Sequence, residues 1–585
     1  MKKIISVFSF LVIVLNISFA QQFTHADTLR GSNGPGRVWW NATKYDLHVT
    51  FNFSDSSISG YNTISYKVLD KKHPDFFQID LQEPMIIDSI ILETGFEKFP
   101  LNREKLSFTR DGNAWFVYLK STNPLTDKHD PNKIMLTTNS PKNSSNHLNE
   151  ETTNLLVYYH GTPRRAKNAP WDGGFVWARD KAGNPWVAVA CQGLGASVWY
   201  PCKDYQGDEP DSAEMHFTTP SDLMTVSNGR LRGKIDNGDG TTTYDWAVVS
   251  PINNYDITFY IGKLVHFGEI YKGEKGDLTM DYWVLDSNLA KAKVHFKDAP
   301  RMMKAFEYWF GPYPFYADGY KLVDAPYLGM EHQSAIGYGN HYLMGYNGHD
   351  LSHSGWGLKW DFIIVHESAH EWFGNNITSV DLADMWIHES FANYAEALFT
   401  EYYYGKQART DYIVGVRENI ENDKPIIAHY GVNEEGSGDM YYKGGNMIHT
   451  IRQIINNDEK FRNILRGLNK TFYHQTVTSK QIEDYINQQS GIDFSKVFEQ
   501  YLTTTEVPML DVRYDEYGKP SYRWSNNCVQ GFDMPIKIYD QKKRPYIIHP
   551  AKNYKQAPKG VRDIKIDENY YVTMSISQLY PKKDK

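Results

Sequence analysis

The first part of the chain alternates apolar and polar residues over short runs. Residues 45–53, 62–68 and 255–261 show the alternation, and Asn-Gly-Asp-Gly at 237–240 is a turn signal between such runs. A period of two is typical of strands with one buried face. Residues 21–262 are therefore predicted to form an N-terminal β domain.

The pattern changes after residue 262. Apolar residues recur at helical spacing in four stretches, at residues 290–310, 361–373, 384–404 and 479–490. A glycine-rich stretch, 328–339, is predicted as a loop or an edge strand. Alternation returns in 509–514 and 570–574. The interpretation is a multidomain α+β protein, with a mainly helical domain at 263–503 and a small β domain at 504–585.

The predicted helix 361–373 contains the motif His-Glu-x-x-His. His366 and His370 are four residues apart, so both imidazoles project from one helix face and can reach one metal ion, with Glu367 beside them. A catalytic zinc takes three protein ligands and keeps a fourth position for water. Glu389, on the next predicted helix, supplies a carboxylate as third ligand. The pattern predicts one Zn²⁺ per chain, and the alternative is a structural pair of core histidines.

His388 is a rival third ligand. Adjacent helix residues point about 100° apart, so only one of His388 and Glu389 can face the metal. The metzincin arrangement requires Gly and His where this chain has Phe373 and Asn376, so it does not apply. We predict Glu389. His332, His341, His353 and His449 have no partner at metal-binding spacing, so they are interpreted as structural, with His332 the one of the four expected to border the substrate. No second metal site is predicted.

This spacing resembles that of the M1 zinc aminopeptidases, a gluzincin family that includes aminopeptidase N and leukotriene A4 hydrolase. Trp-Phe-Gly-Pro-Tyr-Pro at 309–314 is similar to the family's Phe-Gly-x-Tyr-Pro segment, and Tyr-Tyr-Lys-Gly at 441–444 to its Tyr-x-Lys-Gly segment. Leu-Gly-Met-Glu-His at 328–332 resembles Gly-x-Met-Glu-Asn, with Leu328 and His332 as departures. The resemblance spans about residues 40–520. It implies an N-terminal β-saddle, a thermolysin-like catalytic domain and a C-terminal β-sandwich.

The resemblance also implies roles for individual residues. Glu367 would act as the general base toward water at the metal, and Tyr441 would donate a hydrogen bond to the oxyanion. Glu331 and Gln192 would hold the amino terminus of the substrate. Gly329 and Met330 belong to the same substrate-binding segment as Glu331.

Composition narrows the possible partners. The chain has 585 residues and a formal net charge of −8, and its lysines are scattered, so nucleic acid is not predicted as a partner. Peptide substrates are what the resemblance to M1 aminopeptidases implies. Its cysteines are Cys191, Cys202 and Cys528, an odd number. Cys191 and Cys202 are consistent either with a disulfide in an oxidising compartment or with two buried thiols.

The first twenty residues have the features of a secretory signal peptide. Lys2 and Lys3 precede an apolar run at 4–17, and Ser-Phe-Ala at 18–20 is a small-residue cleavage site. The apolar run is shorter than the ~20 residues of a membrane-spanning helix. Export to the periplasm or beyond the cell, without stable membrane insertion after cleavage, is predicted, and an uncleaved anchor is the alternative.

Together these features predict a secreted zinc aminopeptidase. Three alternatives stay open. The departures at Leu328 and His332 leave room for a thermolysin-like zinc endopeptidase. A non-catalytic peptide-binding protein on an M1 scaffold is the alternative outside enzymology. Gln192 is compatible with epoxide hydrolysis like that of leukotriene A4 hydrolase.

Overall fold

The structure is a computed structural model that describes residues 23–96, 102–119 and 151–578. The predicted signal peptide lies outside the described residues. Among the helices of the described ranges, none has the length and apolar character needed to cross a membrane.

The N-terminal region is built almost entirely of strands. Its elements are α1 His25–Gly31, β1 Trp40–Asn52, β2 Ser57–Val68, β3 Phe76–Asp80, β4 Ile86–Phe96, β5 Asn102–Asp111, β6 Ala114–Tyr118, β7 Glu151–Gly161, β8 Gly174–Arg179, β9 Pro185–Ala190, β10 Ser212–Pro220, β11 Met224–Ser227, β12 Arg230–Asp236, β13 Thr241–Val248 and β14 Phe259–Gly262.

These strands form two sheets. A ten-stranded sheet has the order β12-β13-β10-β1-β2-β7-β4-β5-β6-β3, and a four-stranded sheet has the order β11-β14-β9-β8. Strand β1 lies inside the large sheet, parallel to β10 and antiparallel to β2. Its residues Tyr45, Leu47 and Val49 are buried in the core, while the residues between them face outward. The predicted alternation is thus the alternation of the two sheet faces.

The middle region begins with strands and continues with helices. Its elements are β15 Leu264–Gly273, β16 Gly276–Leu285, α2 Leu289–His295, α3 Asp298–Phe310, β17 Tyr320–Asp324, β18 Gly329–Met330, β19 Ile336–Tyr338, α4 Phe362–Ala369, β20 Ile377–Ser379, α5 Trp386–Tyr404, α6 Lys406–Gly415, α7 Tyr442–Ile455, α8 Asp458–Thr471, β21 Gln475–Val477, α9 Ser479–Ser490 and α10 Ser495–Thr503.

A five-stranded sheet opens this region, in the order β15-β16-β17-β19-β18. The helical patterns did not predict it. Strand β15 is mostly solvent-exposed and β17 is buried on both faces, so neither shows a clean two-residue period. The glycine-rich stretch 328–339, predicted as a loop or an edge strand, contains the edge strand β18. Between α4 and α5, the short strand β20 pairs in parallel with β21.

The C-terminal region consists of short strands in two small sheets. They are β22 Met509–Tyr514, β23 Pro520–Trp524, β24 Ile536–Tyr539, β25 Pro545–Ile548, β26 Lys555–Gln556, β27 Lys565–Ile566 and β28 Thr573–Gln578. The sheet orders are β26-β23-β22-β28 and β25-β24-β27. The predicted multidomain α+β fold is confirmed.

The apolar cores of the three regions are joined. Leu510 and Trp524 of the C-terminal strands belong to the same buried cluster as the middle helices. Val323, Tyr327 and Met330 of the middle region instead pack into the N-terminal core. Strands β17 to β19 are therefore held against the N-terminal region, and this contact positions residues of both regions around one cavity.

Both cysteines of the pair considered above are buried thiols. Cys191 and Cys202 are free, and the Cys191 thiol donates to the carbonyl of Tyr255 at 3.4 Å. Of the two alternatives, a disulfide or two buried thiols, the structure has the two buried thiols. Burial raises the pKa of each thiol well above its ordinary value, so both are protonated and unreactive.

Candidate metal centre and substrate cavity

Helix α4 carries the two histidines and has defined ends. The Asp361 side chain caps its first turn by accepting from the Ile364 amide at 3.1 Å. At the other end the backbone leaves helical geometry at Phe373 and Gly374, and Gly374 has φ +136°, a conformation that side chains other than glycine rarely adopt. The predicted helix 361–373 therefore stops soon after His370.

His366, His370 and Glu389 converge on one point, and we call them the zinc triad. The two imidazole Nε2 atoms are 3.4 Å apart. The Glu389 Oε2 atom lies 3.6 Å from His366 Nε2 and 3.5 Å from His370 Nε2. Helix α5 brings the carboxylate to the histidines by packing against α4. The three side chains are buried.

These distances fit a zinc ion. With zinc–nitrogen and zinc–oxygen bonds of about 2.0–2.2 Å, two ligand atoms of a tetrahedral site are separated by about 3.3–3.6 Å. Glu389 Oε2 is buried and has no hydrogen-bond partner among the described residues, as expected of an atom reserved for a cation. Burial opposes ionisation of Glu389, but the charges of His370 and His366 outweigh it and lower its pKa, so the group is a carboxylate.

A second layer of residues orients the triad. His366 Nδ1 lies 2.8 Å from Glu396 Oε1, and His370 Nδ1 lies 3.1 Å from the Phe373 carbonyl oxygen. The Glu396 carboxylate also accepts from Tyr412 at 2.6 Å. Partners on Nδ1 leave Nε2 free to bind the metal and hold each ring in place. Sequence analysis did not identify Glu396, although it follows Glu389 by seven residues and so lies on the same face of α5.

His388 is not part of the triad. Its Nε2 accepts from the Ser379 amide at 2.8 Å, in the turn region after α4. Burial lowers the pKa of His388 to about 3, so its ring is neutral. The structure places Glu389, as predicted, and not His388 beside the two helix histidines.

Glu367 faces the same cavity as the triad. Its carboxylate approaches strand β18 so closely that a Cβ atom on Gly329 would lie 2.6 Å from Glu367 Oε1. A glycine is therefore required at 329 for this arrangement. Burial raises the pKa of Glu367, against the opposing effect of His366 and His370. A carboxylate with a raised pKa is suited to accept a proton near neutral pH.

Tyr441 lies on the other side of the histidines, at the start of α7. Its ring centroid is 5.9 Å from that of His366. Burial, together with the charges of Glu389 and Glu331, raises the pKa of Tyr441 well above its ordinary value. The hydroxyl therefore stays protonated and can donate a hydrogen bond into the cavity.

Glu331 and Gln192 meet although they are far apart in the sequence. Gln192 Nε2 donates to Glu331 Oε1, and the Tyr255 hydroxyl donates to the same oxygen at 3.2 Å. Glu331 follows the edge strand β18, whereas Gln192 and Tyr255 come from the N-terminal region. Burial raises the pKa of Glu331 to about 7. A cation placed beside this carboxylate would recover part of that desolvation cost.

All nine predicted site residues line one solvent-open cavity with a volume of about 340 Å³. Other lining residues were not predicted from the sequence, among them Trp171, which is 63% exposed, Tyr346 and Glu435. No local motif marks them, because loops of different regions bring them to the cavity. His332 does not line it. It is buried, and its Nδ1 pairs with the Tyr260 hydroxyl at 2.8 Å, so the expectation that it borders the substrate is wrong in this structure.

Comparison with known proteins finds similarity to one peptidase family over the part of the chain that carries this site. Residues 295–501 match the peptidase family M1 domain. Leucine aminopeptidase 2 of Vanderwaltozyma polyspora is 22% identical over 75% of this chain and 61% of its own length. Leucyl aminopeptidase of Saccharolobus solfataricus is 23% identical over 80% of this chain and 54% of its own length. Leukotriene A-4 hydrolase of Xenopus laevis is 21% identical over 57% of this chain and 55% of its own length. The chain thus spans little more than half the length of these relatives.

Solved structures share the fold. The M1 zinc metallopeptidase of Deinococcus radiodurans superposes with a TM-score of 0.63 at 19% identity, over 81% of this chain and 96% of that one. A variant of the same peptidase, solved with a Tyr-Ser-Ala substrate, gives a TM-score of 0.62. At this identity the likeness concerns the fold. The family match and the His-His-Glu donor set together agree with Zn²⁺ as the cofactor.

Proposed function

We infer that this chain, whose residues 295–501 belong to peptidase family M1, is a zinc-dependent aminopeptidase that removes N-terminal residues from peptides. The observation that carries this proposal is the shared cavity. The zinc triad, Glu367 and Tyr441 line it together with the Gln192–Glu331 pair. The first group suits hydrolysis of a peptide bond, and the pair suits recognition of a free amino terminus.

Zn²⁺ held by the triad would supply a Lewis acid that polarises the scissile carbonyl and lowers the pKa of water. Glu367 would accept a proton from the attacking water and return it to the leaving amine. The Tyr441 hydroxyl would donate a hydrogen bond to the oxygen that becomes negative. Every member of this catalytic set is present among the described residues, which argues against the non-catalytic scaffold.

The Gln192–Glu331 pair would select the substrate end. A protonated α-amine would form a charge-assisted hydrogen bond with Glu331, whose buried carboxylate has a pKa of about 7. The Gln192 amide oxygen remains available as a second acceptor, because its nitrogen already donates to Glu331. Strand β18 lies at the edge of its sheet, so its outer backbone groups can pair with an extended peptide.

We also propose that the protein is exported. The support is the charged, apolar and small-residue pattern of residues 1–20. Amino-terminal sequencing of the protein from cell fractions tests it. A chain that begins at Gln21 in the periplasm or medium is the expected result, and an intact Met1 in the cytoplasm would contradict it.

The proposed activity is tested with one decapeptide in free and N-acetylated form. Loss of the charge-assisted bond would cost roughly 2–4 kcal/mol, so the acetylated peptide should be cut roughly thirty- to a thousandfold more slowly. Mass spectrometry should show single amino acids released in order from the free peptide.

The matched variant is Glu331→Ala. It should slow cleavage of the free peptide and leave the residual rate on the acetylated peptide unchanged, so most of the preference disappears. A thermolysin-like endopeptidase would instead release internal fragments from both peptides at similar rates, and that outcome would replace the proposal.

A further inference from the structure

A second group of histidines and carboxylates lies on the outer face of the ten-stranded sheet. Asp46 and His48 are two residues apart on β1 and therefore project from the same face. In the parallel pairing of β1 with β10, His48 lies directly opposite His216. In the next pairing, His216 lies opposite Asp245 of β13. The strand register thus lines up side chains from three separate parts of the sequence.

The donor atoms of this group converge. Asp46 Oδ1 lies 3.0 Å from His48 Nε2 and 3.3 Å from His216 Nε2. The rings of His48 and His216 stack with centroids 4.1 Å apart and planes 15° from parallel. We call Asp46, His48 and His216 the sheet cluster. Its separations are close to the roughly 3.3 Å between ligand atoms of a tetrahedral zinc site.

Neighbouring residues hold the two histidine rings of the sheet cluster in fixed orientations, as is usual for histidine ligands of metal ions. The second ring nitrogen of His216, Nδ1, lies 2.6 Å from Asp245 Oδ1, which fixes the ring and directs Nε2 toward Asp46. Tyr61 of β2 stacks on His48 with centroids 4.3 Å apart. These contacts orient both imidazoles before any ion arrives.

The sheet cluster is open to solvent and is not neutralised by the nearest lysine. Its side chains are 22–35% exposed, so an ion can enter without a conformational change. Lys44, two residues before Asp46 on the same face, pairs with Glu214 at 2.9 Å.

We propose that the sheet cluster is a second metal site, which binds Zn²⁺ or a similar divalent first-row transition ion through Asp46, His48 and His216. Two imidazoles and one carboxylate suit such ions, whereas Mg²⁺ and Ca²⁺ prefer oxygen ligands. The three donor atoms all lie within 4.8 Å of one another. The site is independent of the proposed peptidase activity and would link β1 to β10.

The test uses the full chain with the zinc triad already filled, to which Zn²⁺ alone is added at micromolar free concentration. Equilibrium dialysis with elemental analysis should give a second zinc per chain in the parent protein. His48→Gln and His216→Gln should lose this second zinc. Asp245→Asn removes only the orienting carboxylate, so it should weaken the second site by about 10- to 100-fold.

The matched control is His160→Gln. His160 pairs with Asp88 at 2.8 Å on the same sheet, so it is a surface His–Asp pair outside the sheet cluster. This variant should keep the second zinc. Zn²⁺ should also raise the unfolding temperature of the parent and of His160→Gln, but not of His216→Gln. One zinc per chain in the parent, or equal loss in His160→Gln and His216→Gln, would overturn the proposal.

Discussion

The zinc triad and the sheet cluster use the same kinds of donor atoms in very different surroundings. The triad side chains are 2–8% exposed and belong to a cavity that also holds Glu367, Tyr441 and Glu331. The sheet-cluster side chains are 22–35% exposed and lie on the outer face of a sheet. Donor geometry alone therefore does not make a catalytic site. The base, the oxyanion donor and the substrate groups must share a partly dehydrated cavity with the metal.

The two sites also differ in how they are supported. In the triad each histidine has an Nδ1 partner, Glu396 or the Phe373 carbonyl, and both partners are buried. In the sheet cluster, the half-buried Asp245 orients His216 through its contact with the second ring nitrogen, Nδ1. We expect the triad to bind its zinc much more tightly than the sheet cluster binds a metal ion.

Removal of a triad ligand should have the largest effect. His370→Ala or Glu389→Ala should lose the tightly held zinc and nearly all peptidase turnover, because two protein ligands rarely hold a catalytic zinc. Elemental analysis and an amino-acid anilide assay measure both. His216→Gln in the sheet cluster should leave turnover unchanged. Equal turnover in His370→Ala and the parent would refute the assignment of the triad.

Glu367→Gln should separate chemistry from metal binding. The amide cannot accept the proton of water, so turnover should fall roughly 10²- to 10⁴-fold while the triad keeps its zinc. Steady-state kinetics and metal content are measured on the same preparation. If turnover and zinc are lost together, Glu367 supports the metal and is not the base.

Tyr441→Phe should reduce kcat by about 10²- to 10³-fold, as for other oxyanion donors, with little effect on KM or zinc content. The ring and its stacking beside His366 are kept in this variant. Neighbouring Tyr442→Phe is the matched control, since Tyr442 lines the cavity but is not assigned the donor role. A normal kcat for Tyr441→Phe would transfer the oxyanion role to another group.

Glu396→Gln should give the smallest effect. The amide retains the shape of the side chain but weakens the orienting contact with His366, so zinc affinity should fall about 10- to 100-fold. Competition with a chelator measures it, and turnover at saturating zinc should largely persist. An unchanged affinity would mean that the triad is positioned by α4 and α5 alone.

Local periodicity explains which site residues could be predicted. His366 and His370 are one helical turn apart, so their shared face follows from the helix itself. The same periodicity could have identified Glu396 from Glu389. The shared position of Glu331 and Gln192 in the cavity was predicted only through resemblance to a family. No local sequence pattern relates two residues that are so far apart in the chain.

Some strands of the middle region could not be predicted from sequence periodicity either. Strands β17 to β19 are short and buried, so their apolar residues carry no period that distinguishes strand from helix. The sheet cluster has no signature within any single stretch of the sequence. Asp46 and His48 are close in sequence, but His216 joins them only through the parallel register of β1 and β10.

The sequence by itself determined the strand-rich N-terminal region, the helices that carry the zinc motif and the identity of the three triad ligands. These depend on spacings of two, three or four residues, which backbone geometry converts directly into a shared face. Only the tertiary structure decided that Gln192 reaches Glu331, that Gly329 makes room for Glu367 and that His216 faces His48. Those contacts depend on how the joined apolar cores fix one region against another and on which strands pair, and both are set by packing over the whole chain.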